Sequence, residues 1–159
     1  MQMQTLATKP DAKFVDPDVT AKGEVRASIP LLKLDTLWVN TGTLCNLTCA
    51  ACYIESSPKN DRLVYISAAE VAAYLDEIER DGLGTGEIGF TGGEPFMNPD
   101  FMIMVEDALQ RGYRVMILTN AMRPMMKCAD ALLDLQQRYG AQLTLRVSVD
   151  HYTKLRHQM

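Results

Sequence analysis

Three of the four cysteines in the chain lie within eight residues of one another, as Cys45, Cys49 and Cys52. Cysteine thiolates bind zinc ions and iron–sulfur clusters, whereas the cysteines of a disulfide framework are usually spread along a chain. The N-terminal segment also lacks the apolar stretch of a secretory signal. The tight spacing therefore predicts a metal centre on a single loop.

Two kinds of metal centre are compatible with three neighbouring cysteines. Clusters that only transfer electrons normally have four cysteine ligands, so a cubane with three leaves one iron open to a small chelator. A zinc ion would need a fourth protein ligand, for which His151 is a better candidate than Cys128. Cys128 falls in a predicted helix, where we expect a small buried apolar residue. The cluster is favoured because zinc sites typically use paired CxxC-like clips.

A second chemical feature is the turn Gly92-Gly93-Glu94-Pro95. Glycines allow the backbone to bend sharply and to approach a ligand closely. We expect the free amides of this turn and the Glu94 carboxylate to face that ligand. A carboxylate is a suitable partner for an ammonium group, although the same residues also occur in plain strand-to-helix turns.

Four short apolar segments have the composition of buried strands, and helical patterns separate them. Trp38, in the first of these segments, is predicted to belong to the core. Helices of this length between strands act as crossover connections, which predicts a parallel sheet. The predicted strands span residues 34–40, 87–91, 113–118 and 143–149.

The helices have sequence signals at their ends. Ser67 and Glu70 match a capping box at the start of the first helix. Asn98 is predicted to cap the second helix, with Pro99 at its first helical position. The predicted helices span the stretch from Ser67 to Gly82, residues 101–110 and residues 126–139.

Open α/β sheets and barrels bind ligands at the carboxyl ends of their parallel strands. Polar features follow each predicted strand in this chain. We therefore expect them to lie along one edge of the sheet, although Asn, Ser and Asp are also common in plain turns. These features are the cysteine loop, the Gly92–Pro95 turn, Thr119-Asn120, and Ser148 with Asp150.

The CxxxCxxC spacing after the first strand, followed by GGEP after the second, resembles the radical S-adenosylmethionine (radical SAM) superfamily. The resemblance implies that Cys45, Cys49 and Cys52 hold a [4Fe-4S] cluster. It further implies that reduction of SAM yields a 5′-deoxyadenosyl radical, which abstracts hydrogen from a substrate. The family often has an aromatic residue where Ala51 stands, and here Tyr53 follows the third cysteine instead. The implied SAM-binding residues are Gly92, Gly93, Glu94, Asn120 and Ser148.

The resemblance also implies a partial (β/α) barrel and a low-potential electron donor of the flavodoxin or ferredoxin type. The substrate and any catalytic acid or base are unassigned. Because the sequence stops soon after a fourth strand, we expect the N-terminal part of a longer protein, with poor folding or incomplete activity on its own. The alternatives are a non-enzymatic zinc or iron–sulfur module, or an inactive fragment of the enzyme.

The amino-acid composition argues against nucleic-acid-binding and membrane-spanning proteins. The chain has 159 residues, 47% of them hydrophobic, and a formal net charge of −4. This balance predicts no electrostatic match to nucleic acid and, with no apolar run long enough to cross a bilayer, a cytoplasmic protein. Residues 1–33 form an irregular leader in which Lys13–Val15 and residues 24–29 are predicted to pair, and residues 34–159 form the main domain.

Overall fold

A computed structural model describes residues 16–149 of the chain. The chain divides into two compact units, the first ending at Leu32 and the second beginning at Lys33. In the first unit the Asp16 carboxylate accepts hydrogen bonds from the backbone of Asp18 and Val19, which closes a short turn. Val19 forms an isolated antiparallel bridge with Val25. The segment 13–15 lies outside the described residues, so its pairing stays a prediction.

The second unit alternates strands with helices. It also contains single turns of 3-10 helix at Pro95–Met97 and Gly140–Gln142. The strands are β1 (Thr36–Asn40), β2 (Glu87–Thr91), β3 (Arg114–Thr119) and β4 (Leu143–Val147). The helices are α1 (Ala68–Arg80), α2 (Phe101–Gln110), α3 (Arg123–Met126) and α4 (Ala129–Tyr139).

All four strands form one parallel sheet in the order β1-β2-β3-β4. Asn40 pairs with Thr91, and Thr119 pairs with Val147, so the carboxyl ends of the strands lie level along one edge. The predicted parallel α/β sheet is therefore confirmed, and the loops that follow the strands share that edge. No helix within residues 16–149 is long and apolar enough to cross a bilayer.

The helix starts were predicted with mixed success. The capping box of α1 is present, because the Ser67 hydroxyl accepts from the Glu70 backbone while the Glu70 carboxylate accepts from the Ser67 backbone. The cap of α2 was predicted wrongly, since the N-cap is Asp100 and Pro99 precedes the helix. Asn98 instead ends the 3-10 turn, and its side-chain oxygen accepts from the Asp100 backbone.

The third predicted helix, residues 126–139, corresponds to α4, which begins three residues later than predicted and ends at the predicted residue, while the short helix α3 before it was not predicted. α3 ends at Met126, and α4 begins at Ala129 with Cys128 at its N-cap position. Pro124 near the start of α3 removes one backbone donor, and the chain turns again before α4. Cys128 packs against the edge of the core, as a small apolar residue would.

The core lies between the helices and one face of the sheet. Alternate strand residues such as Ile88, Phe90 and Ile117 are fully buried on this face. Phe101 of α2 makes edge-to-face contacts with both Phe90 and Phe96, with ring centroids 5.4 Å and 4.9 Å apart. Such aromatic pairs add stability beyond the area they bury. The scaffold therefore has a dense apolar layer directly beneath the strand ends.

The opposite face of the sheet is more open. Trp38 lies on this face and is 48% exposed, so its predicted place in the core was wrong. Its ring covers Gly89 of the neighbouring strand, where an added Cβ would fall 2.4 Å from a ring carbon. Trp38 is thus a surface covering for β2 rather than a core residue.

Candidate functional site

The cysteine loop, defined here as residues 41–66, connects β1 to α1 and is held mainly by polar contacts. The Thr43 hydroxyl donates to the Asn60 carbonyl and accepts from the Leu63 backbone. The Asn60 amide donates to the carbonyl oxygens of Ile54 and Glu55. These bonds give an otherwise irregular segment a defined course, as in compact surface loops with functional roles.

Asn98 joins the two ends of this loop. Its side-chain amide donates to the carbonyl oxygen of Thr41 at 3.1 Å and to that of Ile66 at 2.8 Å. The residue is buried, so both bonds are shielded from water. The sequence predicts only a helix cap for Asn98, and no pattern in it indicates this longer-range role.

The three cysteines differ in their surroundings. Cys45 is buried, whereas Cys49 and Cys52 are half-buried. The Cys45 sulfur accepts from the Leu47 backbone at 3.4 Å and from the Asn120 side chain at 3.7 Å. Backbone N–H groups also reach the Cys52 sulfur. Donors to sulfur favour the thiolate form, which is the form that binds metal.

Burial raises the pKa of the Cys45 thiol, and the Leu47 N–H offsets this only in part. The nearby negative groups of Glu94, Cys49 and Cys52 raise the pKa of Cys45 further. Burial also disfavours ionisation of Cys52, but backbone N–H groups outweigh it and lower the pKa of Cys52. Three thiolates here would repel one another unless a cationic group lay between them.

The residues around the sulfurs fit a thiolate-bound group. Ser56 donates its backbone N–H to the Cys52 sulfur at 3.3 Å, and its own hydroxyl is buried without a hydrogen-bond partner among the described residues. A buried hydroxyl normally has a partner, so a bound group beside Cys52 would supply the missing acceptor. Within residues 16–149, no three His, Cys, Asp or Glu side chains converge closely enough to ligate one metal ion.

The Gly92–Pro95 turn packs directly on the start of the cysteine loop. An added Cβ on Gly93 would lie 2.1 Å from the Leu44 carbonyl oxygen, and one on Gly92 would lie 2.7 Å from that of Gly42. The Gly93 amide donates to the Gly42 carbonyl oxygen at 2.8 Å, and the Glu94 amide donates to the Leu44 carbonyl oxygen at 3.0 Å. The expectation that these amides are free to face a ligand was therefore wrong, because the close approach is to the loop.

The Glu94 carboxylate is buried within the same layer, with 1% of its residue surface exposed. It accepts from the Thr119 hydroxyl at 2.8 Å, the Asn120 backbone at 2.9 Å and the Phe96 backbone at 3.4 Å. Burial raises the pKa of Glu94, and these three donors oppose the rise. Glu94 thus joins the end of β3 to the turn after β2.

Asn120 completes a chain of contacts from this turn to the cysteine loop. Its side-chain amide donates to the Asn46 oxygen at 3.0 Å as well as to the Cys45 sulfur. Its own side-chain oxygen accepts from the Met122 backbone at 3.0 Å. Hydrogen bonds therefore link Glu94 to Asn120 and Asn120 to Cys45, as expected from strand ends that share one edge.

The remaining predicted residues are less closely connected. Ser148 follows β4 and is exposed, and its backbone donates to the Thr119 carbonyl at 2.9 Å. Its side chain makes no hydrogen bond within the described part of the chain. Asp150 and His151 lie outside the described residues. The contacts of Thr119, Ser56 and Asn46 were not predicted, because Ser, Thr and Asn near turns have ordinary local roles.

These features define a class before any comparison: an α/β protein with a parallel sheet and a loop of three cysteines at the carboxyl edge of its strands. The family model described as the Radical SAM superfamily matches residues 39–159. The chain therefore belongs to the Radical SAM superfamily, and the resemblance carried by the cysteine loop and the GGEP turn is confirmed.

Curated relatives agree with this assignment. The chain is 32% identical over 106 residues to the antilisterial bacteriocin subtilosin biosynthesis protein AlbA of Bacillus subtilis, covering 67% of this chain and 22% of that protein. It is 30% identical over 76 residues to an S-adenosylmethionine-dependent nucleotide dehydratase of Selenomonas ruminantium, covering 48% of this chain and 26% of that protein. The chain thus spans about a quarter of the length of these relatives.

Solved structures show the same fold. Streptococcus suis SuiB, crystallised bound to S-adenosylmethionine, superposes with a TM-score of 0.63 at 18% identity, over 80% of this chain and 28% of SuiB. A second crystal structure of SuiB gives a TM-score of 0.62 at 16% identity, over 80% of this chain and 27% of SuiB. At this identity the likeness is one of fold.

Proposed function

We propose that this chain is the cluster- and SAM-binding part of a radical SAM enzyme. In this proposal Cys45, Cys49 and Cys52 bind a [4Fe-4S] cluster. The observation that carries it is the clasp between the Gly93–Glu94 backbone and the Gly42 and Leu44 carbonyl oxygens. This clasp sets the cysteine loop against the strand ends, where α/β folds bind their ligands.

When bound, the cluster would supply a low-potential electron and an open iron for SAM, whose cleavage gives methionine and a 5′-deoxyadenosyl radical that abstracts hydrogen from substrate. The protein would contribute thiolates, donors and exclusion of water. Backbone N–H groups at Cys45 and Cys52 favour the ionised sulfurs. The buried position of Cys45 removes one side of the loop from solvent.

The proposed SAM site is formed by Gly92, Gly93, Glu94, Asn120 and Ser148. Within the described residues no donor reaches the carbonyl oxygens of Gly92 and Gly93, which leaves two acceptors for an ammonium group. Glu94 would not contact the ammonium group directly. Its buried negative charge lies beneath the turn and would attract a cation that binds on the turn. The exposed Ser148 hydroxyl is open to a ligand hydroxyl or carboxylate.

The substrate is left unassigned in this proposal. The two curated relatives are named for different outcomes, bacteriocin biosynthesis and nucleotide dehydration. We therefore propose only the shared step of hydrogen abstraction. A flavodoxin- or ferredoxin-type protein is proposed as the electron donor, because the step requires one low-potential electron.

Anaerobic reconstitution tests the proposal. The protein should take up about four irons per chain, as a cubane requires. Its reduced spectrum should change when SAM is added, and dithionite with SAM should yield 5′-deoxyadenosine. A colourless protein that binds one zinc ion, with no response to SAM, would contradict the proposal.

Two cysteine variants provide a matched pair for this test. Cys49→Ala removes a proposed ligand and should abolish cluster assembly. Cys128→Ala removes a cysteine that packs against the core outside the loop, and its iron content should equal that of the wild type. A full cluster in Cys49→Ala would contradict the assignment of Cys49 as a ligand.

A further inference from the structure

Two side-chain donors lie beside the proposed cluster ligands without serving as ligands themselves. The first is the Asn120 amide, which is 3.7 Å from the Cys45 sulfur and 3.0 Å from the Asn46 side-chain oxygen. Two further hydrogen bonds hold Asn120 in position: its backbone N–H donates to Glu94, and its side-chain oxygen accepts from the Met122 backbone. The donor therefore approaches Cys45 from the end of β3, held by hydrogen bonds of its own.

The second donor is the Ser56 hydroxyl. Ser56 is 4% exposed, and its hydroxyl has no hydrogen-bond partner within residues 16–149. Its backbone N–H already donates to the Cys52 sulfur, so the residue is anchored beside that thiolate.

Such donors have a known electrostatic consequence. Reduction adds one electron to a cluster and spreads negative charge over its sulfurs. A donor aimed at a sulfur stabilises the reduced state more than the oxidised state, and hydrogen bonds to sulfur are among the factors that set cluster potentials. Donors held by the fold act without reorganisation.

We propose that Ser56 and Asn120 are positioning residues that raise the reduction potential of the cluster by donating hydrogen bonds to its Cys52 and Cys45 sides. The inference rests on the proposed function, since it assumes that the three cysteines hold a cluster. No motif indicates this role for Ser56, and Asn120 would have it in addition to its proposed part in SAM binding.

The test is a redox titration of the reconstituted protein, followed by electron paramagnetic resonance without SAM. In Ser56→Ala and Asn120→Ala the midpoint potential should fall. At a fixed potential the ratio of reduced to oxidised cluster should drop about three- to tenfold, where tenfold corresponds to about 59 mV for a one-electron couple. Because the midpoint does not depend on how much cluster assembles, a poorly loaded variant still gives a value.

Two further variants isolate the cause. Ser56→Thr keeps the hydroxyl and should return the potential close to the wild-type value. Thr85→Val removes a second hydroxyl that is buried without a partner among the described residues. Thr85 lies in the loop before β2, at the opposite edge of the sheet, so this variant should leave the potential unchanged.

Unchanged midpoints in both Ser56→Ala and Asn120→Ala would overturn the inference while leaving the cluster assignment intact. A shift in Thr85→Val as large as that in Ser56→Ala would also overturn it, since the effect would then be general. Failure of the wild type to assemble a four-iron cluster would instead refute the proposed function.

Discussion

The cysteine loop and the sheet–helix scaffold are stabilised by different forces. The scaffold buries aromatic and aliphatic side chains such as Phe90, Phe101 and Leu75 almost completely. The loop leaves Tyr53 and Val64 82% exposed and relies on hydrogen bonds to its own backbone. Apolar burial stabilises a fold without regard to direction, whereas hydrogen bonds fix geometry and add less free energy each.

Stability and chemistry are therefore assigned to different parts of the chain. The loop depends on three points of attachment: the backbone clasp at Gly93, the Asn98 amide, and the Glu94–Asn120 connection to Cys45. Substitutions in the two regions should therefore give different combinations of lost stability and lost iron.

The largest loss of stability is expected from Phe90→Ala. Phe90 is completely buried and contacts Phe101, so truncation should lower the free energy of unfolding by about 3–5 kcal/mol. Urea unfolding followed by circular dichroism measures this loss. Ile103→Ala is the control, because Ile103 is 60% exposed on α2 and should change little. Equal effects of the two variants would show that the core is placed wrongly.

Gly93→Ala should damage the loop more than the scaffold. The new Cβ would overlap the Leu44 carbonyl oxygen, which is backbone and cannot move aside without opening the clasp. We expect a loss of about 1–3 kcal/mol and iron uptake reduced to less than half. Gly86→Ala is the matched control, since its nearest neighbour is the flexible Arg114 side chain at 3.7 Å. Normal iron content in Gly93→Ala would contradict the clasp.

Ser67→Ala should affect the scaffold and not the cysteine loop, with a smaller loss of stability than Gly93→Ala. It removes the cap of α1 and should lower the free energy of unfolding by about 1 kcal/mol. Iron content should not change, because the cap lies on the scaffold side of the loop. Ser67→Thr, which keeps the hydroxyl, should restore most of the loss. A drop in iron uptake would mean that the two regions are less separate than proposed.

The smallest expected effect is the contribution of Glu94 to the pH dependence of the free energy of unfolding. The pKa of Glu94 is raised in the folded protein, so the folded state holds this proton more tightly than the unfolded state does. The contribution of Glu94 to stability is complete below its unfolded pKa of 4.5 and is lost as pH rises through the higher folded value. Glu94→Gln should remove this part of the pH dependence while sparing the cluster.

The measurement for Glu94 is the free energy of unfolding of the apo protein from pH 4 upward. The wild type should lose stability relative to Glu94→Gln over the window that begins near 4.5. Parallel curves for the two proteins would contradict the raised pKa. We also expect weaker SAM binding in Glu94→Gln, which equilibrium dialysis of the reconstituted protein would measure.

Much of the scaffold could be predicted from local patterns. β2 and α2 were predicted with the bounds they have in the structure, and the capping box at Ser67 and Glu70 is present. Errors arose where local signals compete. Pro99 suggested the first position of α2 but precedes it, and the third predicted helix started at Met126 although α4 begins at Ala129. Trp38 was misplaced because a half-open sheet face has the same apolar pattern as a buried one.

The site was predictable in its residue types but not in its contacts. Residue types and spacing alone predict which thiolates are candidates to bind a metal, which strand ends they follow and that these ends lie on one edge. The folded chain was needed to show that Gly93 meets Leu44, that Asn120 reaches Cys45 and that the Ser56 hydroxyl is buried without a partner among the described residues. Periodicity and caps act over a few residues, whereas the Asn120–Cys45 contact joins positions 75 residues apart that meet only after the sheet has formed.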